Sequence, residues 1–251
     1  MLTDEQLQRY ARQIMLSEIG PSGQKQLLKS RVLVVGAGGL GTPALLYLAA
    51  AGVGQIGIVD NDKVSISNLQ RQVMYTCGDV GRDKTLVSSI RVAALNPDVN
   101  VVTHSERFTP ENGHILAETY DFVIDGTDNF ASKFLIADIC AQTGTPYCHA
   151  GVRGFEGQAM TVLPGETACY RCLFEEEPPD EAEATCKSAG ILGPVAGTLG
   201  SIQATEALKF LLGTGELLTN RLLTLDLGTM RVREVRFERN PACPTCGTRA
   251  K

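Results

Sequence analysis

The chain has 251 residues, with 23 basic and 28 acidic side chains and a formal charge of −5. That length allows one or two domains, and 43% hydrophobic with 20% charged residues is the composition of an ordinary globular protein with a full core, which excludes a long multidomain chain. The mild acidic excess argues against a non-specific nucleic-acid binder but leaves room for small anionic ligands in a local basic pocket.

The longest apolar run, around residues 44–53, falls well short of the ~20 residues of a membrane span. The polar first 14 residues hold no secretory core, so a cytoplasmic, membrane-free protein is expected. Residues 3–16 place Leu7, Tyr10 and Ile14 at near-helical spacing behind the capping residues Thr3 and Asp4. Residues 20–23, Gly-Pro-Ser-Gly, read as a turn, and 24–30 as a second short helix. Val32-Leu33-Val34-Val35 is a continuous apolar run ending in Gly36, as in a strand buried on both faces. A helix follows over about 42–51, with Pro43 tolerated in its first turn, and then a strand over 56–60. Further strands are expected over 99–103, 122–125, 146–149 and 160–163, with helical patterns between several of them. This alternation predicts an α/β fold with a doubly wound, mostly parallel Rossmann-like sheet. Residues 175–188, acidic and proline-bearing, read as a long mobile loop of the kind that usually carries function. Residues 198–212 are a strong helix, and 221–239 look like a C-terminal antiparallel hairpin. A soft boundary falls near residue 155.

Gly36-Ala37-Gly38-Gly39-Leu40-Gly41 fits G-x-G-x-x-G between a strand and a helix. Its glycines allow a tight backbone turn, and free N–H groups at the helix start attract phosphate. Asp60 ends the next strand, where a ribose-binding acid belongs. This context points to an adenine nucleotide and leaves NAD and ATP open. No G-x-x-x-x-G-K-[ST] loop is present, which argues against a P-loop NTPase. Ser67-Asn68-Leu69-Gln70-Arg71-Gln72, then Lys84, then Asp125-Gly126-Thr127-Asp128-Asn129 at the end of a later strand, favour ATP. Hydride transfer needs no such cations. Attack on the α-phosphorus of ATP does: Arg71 and Lys84 would stabilise the charge of departing pyrophosphate, and Asp128 would hold Mg²⁺. Taken singly, Arg71 and Lys84 read as surface charges and Asp128-Asn129 as a turn or helix cap.

Eight cysteines are present, four of them in the pairs Cys169/Cys172 and Cys243/Cys246. Two C-x-x-C pairs without an export signal favour a closed, structural Cys₄ zinc site. Cys77, Cys140 and Cys148 read as core or near-core small hydrophobes. His104, His114 and His149 read as structural or solvated. Arg153-Gly154-Phe155-Glu156-Gly157-Gln158 reads equally as a ligand-lining segment or a simple turn.

Together with Arg9-Tyr10-Ala11-Arg12-Gln13 and Cys169-Tyr170-Arg171-Cys172, these motifs closely resemble the ThiF/MoeB/HesA family, bacterial relatives of the ubiquitin-activating enzymes, over nearly the whole chain. The resemblance implies one domain: N-terminal helices over 1–30, a nucleotide-binding core over 31–155, and a carrier-binding part over 156–251 with a crossover loop at 175–190. It implies a homodimer that uses ATP and Mg²⁺ to adenylate the C-terminal glycine of a small ubiquitin-like sulfur-carrier protein ending in Gly-Gly. The nucleotide site it implies combines Gly36, Gly38, Gly39 and Gly41 with Asp60 and Asp62. It adds Ser67, Asn68, Leu69, Gln70 and Arg71, and beyond them Lys84, Asp128 and Asn129. Arg12 would reach into the neighbouring subunit; by composition alone it is an exposed helix residue. Cys186 lies where relatives place a loop cysteine, and two readings stand open: a covalent link to the carrier, with Lys187 lowering its pKa, or an exposed thiol. Lys133 stands where relatives carry arginine, and a lysine cannot reproduce a bidentate guanidinium contact. Gly126 replaces a common cysteine, with little consequence expected. The chain has no rhodanese-sized extension, so sulfur is expected from a separate donor. Three other readings compete: activation of another carboxylate such as a modified tRNA base, an NAD-binding oxidoreductase, and a binding module without chemistry.

Overall fold

Three buried parallel strands that are short, largely apolar runs form the centre of the protein, with a fourth, more polar one at the sheet edge. The structure, a computed structural model, describes residues 1–179 and 189–247. The parallel strands are β1 (Arg31–Val35), β2 (Gln55–Val59), β3 (Asn100–His104) and β4 (Phe122–Asp125). β5 (Tyr147–Arg153) joins them in parallel, and β6 (Glu156–Val162), β7 (Arg221–Asp226) and β8 (Arg231–Arg236) continue the same sheet antiparallel. The order is β3-β2-β1-β4-β5-β6-β7-β8. The chain leaves β1 toward β2 on one side and later returns to β4 on the other, so the topological switch point lies between β1 and β4. Residue 155 sits in the tight turn between β5 and β6.

Alternate residues of β1 feed two cores. Val32 and Val34 pack with α4 (Gly41–Ala51), α5 (Lys84–Leu95) and α9 (Gly193–Leu212) on one face. Leu33 and Val35 pack with α6 (Pro110–Thr119), α7 (Phe130–Thr143) and α8 (Tyr170–Leu173) on the other. This is the doubly wound arrangement that the buried runs predict. Among the described residues no helix is long and apolar enough to cross a membrane.

The N-terminal segment differs from expectation. It forms two short helices, α1 (Asp4–Arg9) and α2 (Ala11–Ile14), separated at Tyr10. Tyr10 is buried, accepts a hydrogen bond from Asn96 (2.8 Å), and its ring fills the space beside Gly52. The tertiary pocket, rather than helical periodicity, sets that residue's backbone. Residues 20–23 are not a turn: they open α3 (Gly20–Leu27), where Pro21 suits the first helical turn. Cys140 and Cys148 are buried as expected, but Cys77 is exposed on a short 3-10 turn, Cys77–Asp79, which Asp79 fastens from below through Thr76.

Candidate active site

The glycine loop leaves β1 at Gly36, whose φ of +93° suits glycine. Three glycines close the backbone on itself: a Cβ on Gly36 would lie 2.8 Å from the Gly126 carbonyl, one on Gly126 2.7 Å from the Gly36 carbonyl, and one on Gly41 would overlap that same oxygen. Gly126 is therefore part of the cradle, contrary to the expectation of little consequence, because the chain leaving β4 lies directly on the loop. Gly41→Ala is expected to cost about 1–3 kcal/mol, as overpacking does, and to lower nucleotide affinity; urea unfolding and nucleotide titration check both.

Side chains pin the loop from two directions. Asp60 accepts from the Ala37 N–H (2.7 Å) through one carboxylate oxygen and from the Asp62 N–H (2.8 Å) through the other. Burial lifts the Asp60 carboxyl above its usual range, opposed by the Lys84 ammonium and those two N–H groups. Tyr75 donates to the Ala37 carbonyl (2.8 Å) from the other side. Within α4 the Thr42 N–H donates to the Gly38 carbonyl (2.9 Å) and Pro43 has no N–H, so the amides available to an anion are those of Gly38, Gly39 and Leu40 in the loop before the helix, which donate to no described residue.

Lys84, at the start of α5, is buried and pairs with Asp62 (2.9 Å), itself 64% exposed. The stem of Arg71 packs on Gly39, and its guanidinium donates to the Ser67 carbonyl (3.1 Å). Asp128 is exposed and makes no hydrogen bond or ion pair with another described residue, as suits a carboxylate that completes a cation shell with phosphates. A buried Gln72 beside Gly38 leaves its Oε1 without a partner, as does the Thr42 hydroxyl in the first turn of α4. Two unsatisfied polar atoms at the loop fit a polar ligand there. Gln72 is a site residue that the motif contains and the reading by charge passes over.

Three of the expected nucleotide residues also have structural roles. Leu69 packs against the core of the α4 face. Asn68 accepts from the Ser65 N–H (3.3 Å) and closes a capping box, and Asn129 caps α7 by accepting from the Ser132 N–H (2.8 Å). Ser67 and Gln70 are exposed; the Gln70 carbonyl lies so close to Gly193 that no side chain fits there. Arg12 is exposed on α2, and Cys186 lies outside the described residues.

Beside Arg71 and Asp128 a cavity of about 600 Å³ runs over β5–β8, lined also by Lys133, His149, Gly151, Gln158, Tyr170 and Ile191. Arg153, Glu156, Gly157 and Gln158 all line it, so the segment is both the β5–β6 turn region and a cavity wall. Under the cavity sits a buried cluster with no motif of its own. Asp125 accepts from Lys133 Nζ (3.1 and 3.3 Å), His149 Nδ1 (2.8 Å) and the Thr127 hydroxyl (2.6 Å). The Lys133 ammonium, aided by His149 and Thr127, holds the Asp125 carboxyl well below the usual range despite full burial. Burial, reinforced by Lys133, pushes the His149 imidazole down. Lys133 also donates to the Ala150 carbonyl (2.7 Å), which uses an ammonium fully without a bidentate fork. His149 is structural in the sense expected, and it also faces the cavity.

Cys169, Cys172, Cys243 and Cys246 bring their four sulfur atoms within 4.8 Å of one another. Sulfurs about 3.8 Å apart are what a tetrahedral ion with ~2.3 Å bonds to thiolates requires. The observed pairs at 3.3, 3.5 and 3.9 Å fit that donor set.

A glycine cradle at the switch point, pinned by Asp60 and flanked by Arg71 beside an adjoining cavity, is the architecture of a nucleotide-dependent α/β enzyme. The ThiF family model matches residues 10–245, and the chain belongs to the ThiF family. It is 48% identical to the SAMP-activating enzyme E1 of Haloferax volcanii, over 96% of this chain and 89% of that protein. It is 45% identical to the sulfur carrier protein adenylyltransferase of Thermus thermophilus, over 98% and 92%. Among solved structures, MccB of Escherichia coli with ATP superposes with a TM-score of 0.82 at 25% identity, covering 95% of this chain and 74% of that one.

Proposed function

We propose that the protein adenylates the C-terminal glycine of a small ubiquitin-like sulfur-carrier protein with ATP and releases pyrophosphate. The relatives named for sulfur-carrier and SAMP activation support the substrate class. The observation that carries the reading is the cavity that Arg71 and Asp128 share with the exposed β5–β8 side, a path for a peptide tail toward Arg71, whose stem packs on Gly39 of the glycine loop.

The tail's carboxylate oxygen forms a bond to the α-phosphorus, the bond from that phosphorus to the bridging oxygen breaks, and pyrophosphate leaves with the electron pair. The carboxylate is already the nucleophile, so the protein contributes position and charge. The loop amides of Gly38, Gly39 and Leu40 hold the phosphates, and Asp60 faces the ribose. Arg71 and Lys84 balance charge on the departing group; Lys84 must exchange Asp62 for phosphate oxygens to do so. Asp128 would hold Mg²⁺, which when bound supplies further charge neutralisation. The four-cysteine cluster would hold a structural zinc ion. In this reading the protein is a cytoplasmic homodimer, Arg12 completes the partner's site, Cys186 is the loop thiol, and sulfur comes from a separate donor.

The test is ATP–pyrophosphate exchange with purified carriers ending in Gly-Gly. Exchange is expected to require the carrier and to fall about a hundredfold in Asp128→Ala, with unchanged thermal unfolding because Asp128 supports no described contact. Carrier-independent exchange, or an undiminished rate in the variant, rejects the reading.

A further inference from the structure

His149 is 1% exposed, yet its Nε2 atom has no hydrogen-bond partner among the described residues while the ring lines the cavity. The register explains its aim. His149 lies directly beside Asp125 across the β4–β5 pair, so both side chains leave the sheet on one face and Nδ1 meets the carboxylate at 2.8 Å. That carboxylate is ion-paired with Lys133 and can only accept, so the ring proton resides on Nδ1. With the Lys133 ammonium on the same carboxylate, a second buried positive charge is disfavoured. Nε2 is therefore left as a bare acceptor. The Tyr170 ring lies tilted against the imidazole, 4.6 Å between centroids at 56°, and donates no hydrogen bond to Nε2. A Cβ on Gly151 would stand 3.8 Å from Nε2, in van der Waals contact, so the glycine leaves that side of the ring uncovered. A buried acceptor left unpaired is costly, so a donor that enters the cavity and meets it binds more tightly, by about tenfold.

We infer that Nε2 of His149 accepts a hydrogen bond from a peptide N–H of the carrier's Gly-Gly tail, making the cavity selective for an amide-bearing terminus over a carboxylate that lacks this N–H. The inference rests on the carrier-adenylation reading above and adds the group that recognises the tail. Neither a side chain nor a charge on the tail is needed. What is read is the one donor that a glycine still possesses.

The experiment uses full-length protein and three semisynthetic carriers: the natural amide form and two in which one or the other glycine N–H is replaced by an ester oxygen. In wild-type protein one ester carrier is expected to lose about tenfold in kcat/KM for pyrophosphate exchange, chiefly through KM. His149→Asn retains a donor near the Nδ1 position for Asp125 and deletes Nε2. In that variant the amide and ester carriers are expected to differ by less than twofold. A second readout needs no variant: with only three histidines in the chain, the ¹⁵N signals of His149 are separable, and Nε2 is expected to shift with the amide carrier and not with the critical ester. If exchange proceeds and wild-type protein treats all three carriers alike, or if His149→Asn discriminates as wild type does, the inference fails and the adenylation reading stands. If wild-type protein gives no exchange with any of them, both fail.

Discussion

Lys133→Met is expected to destabilise the protein by about 3–5 kcal/mol, with a penalty that grows as pH rises. The residue is the ammonium of a fully buried ion pair, and its carboxylate partner, Asp125, has 1% of its side chain exposed. Removing the cation leaves a charge that burial alone would neutralise, so the folded variant keeps one proton on the Asp125–His149 pair at neutral pH. The unfolded chain carries none there above about pH 6.5. A folded state with more bound protons than the unfolded one loses stability as pH rises, by up to about 1.4 kcal/mol per pH unit. Wild-type protein has the opposite sign in the same cluster. Its depressed Asp125 contributes fully above about pH 4 and loses that contribution only as pH falls through the lower folded value. Its depressed His149 adds stability as pH rises through the unfolded value near 6.5. Urea unfolding of both proteins at pH 5.5 and 8.5 checks this: the gap between them should widen at the higher pH. A gap independent of pH would mean that Lys133 acts by packing alone.

That cluster also marks the limit of what the sequence discloses. β1, β2 and β4 are legible because strands buried on both faces must be apolar throughout, and G-x-G-x-x-G is legible because the backbone closure of Gly36, Gly41 and Gly126 leaves no room for side chains. The two C-x-x-C pairs are legible because their spacing is that of paired metal-ligating thiols, and the structure brings all four sulfurs together. Asp125, Lys133 and His149 carry no such spacing. They come from the end of one strand, the first turns of the following helix and the next parallel strand, and only the β4–β5 register joins them. A motif comparison at residue 133 registers a missing arginine. What it cannot register is that the lysine's three donors are met by a carboxylate and the Ala150 carbonyl. The capping roles of Asn68 and Asn129 are hidden for a related reason: an amide within a polar motif serves a cap as well as a ligand, and only the local backbone geometry reveals the cap.

Metal removal is expected to have the largest effect. Protein purified without chelator should carry about one zinc ion per chain, and the double variant Cys172→Ser/Cys246→Ser should carry none. A closed Cys₄ site forms only in the folded chain, so its loss removes on the order of 10 kcal/mol of folding free energy. Little else secures the tail. Arg239 donates to the Gly165 carbonyl (3.0 Å), Thr245 to Asp138 (2.8 Å), and the Asn240 N–H to the Cys172 sulfur (3.4 Å). Net contributions of about 1 kcal/mol each from partly exposed hydrogen bonds do not replace such a site. The consequence should reach the cavity, because Cys169 precedes α8 and Cys172 lies within it, and the Tyr170 ring between them packs against both His149 and Phe174. Freed from the cluster, α8 no longer has a fixed position over His149. In the double variant, trypsin should cut at Arg239 under conditions that leave wild-type protein intact, and carrier-dependent exchange should lose affinity for the carrier before it loses affinity for ATP, since the glycine loop lies on strands outside the cysteine-bearing segments. Retained metal in the variant, or a tail equally protected without it, would assign the four cysteines to packing.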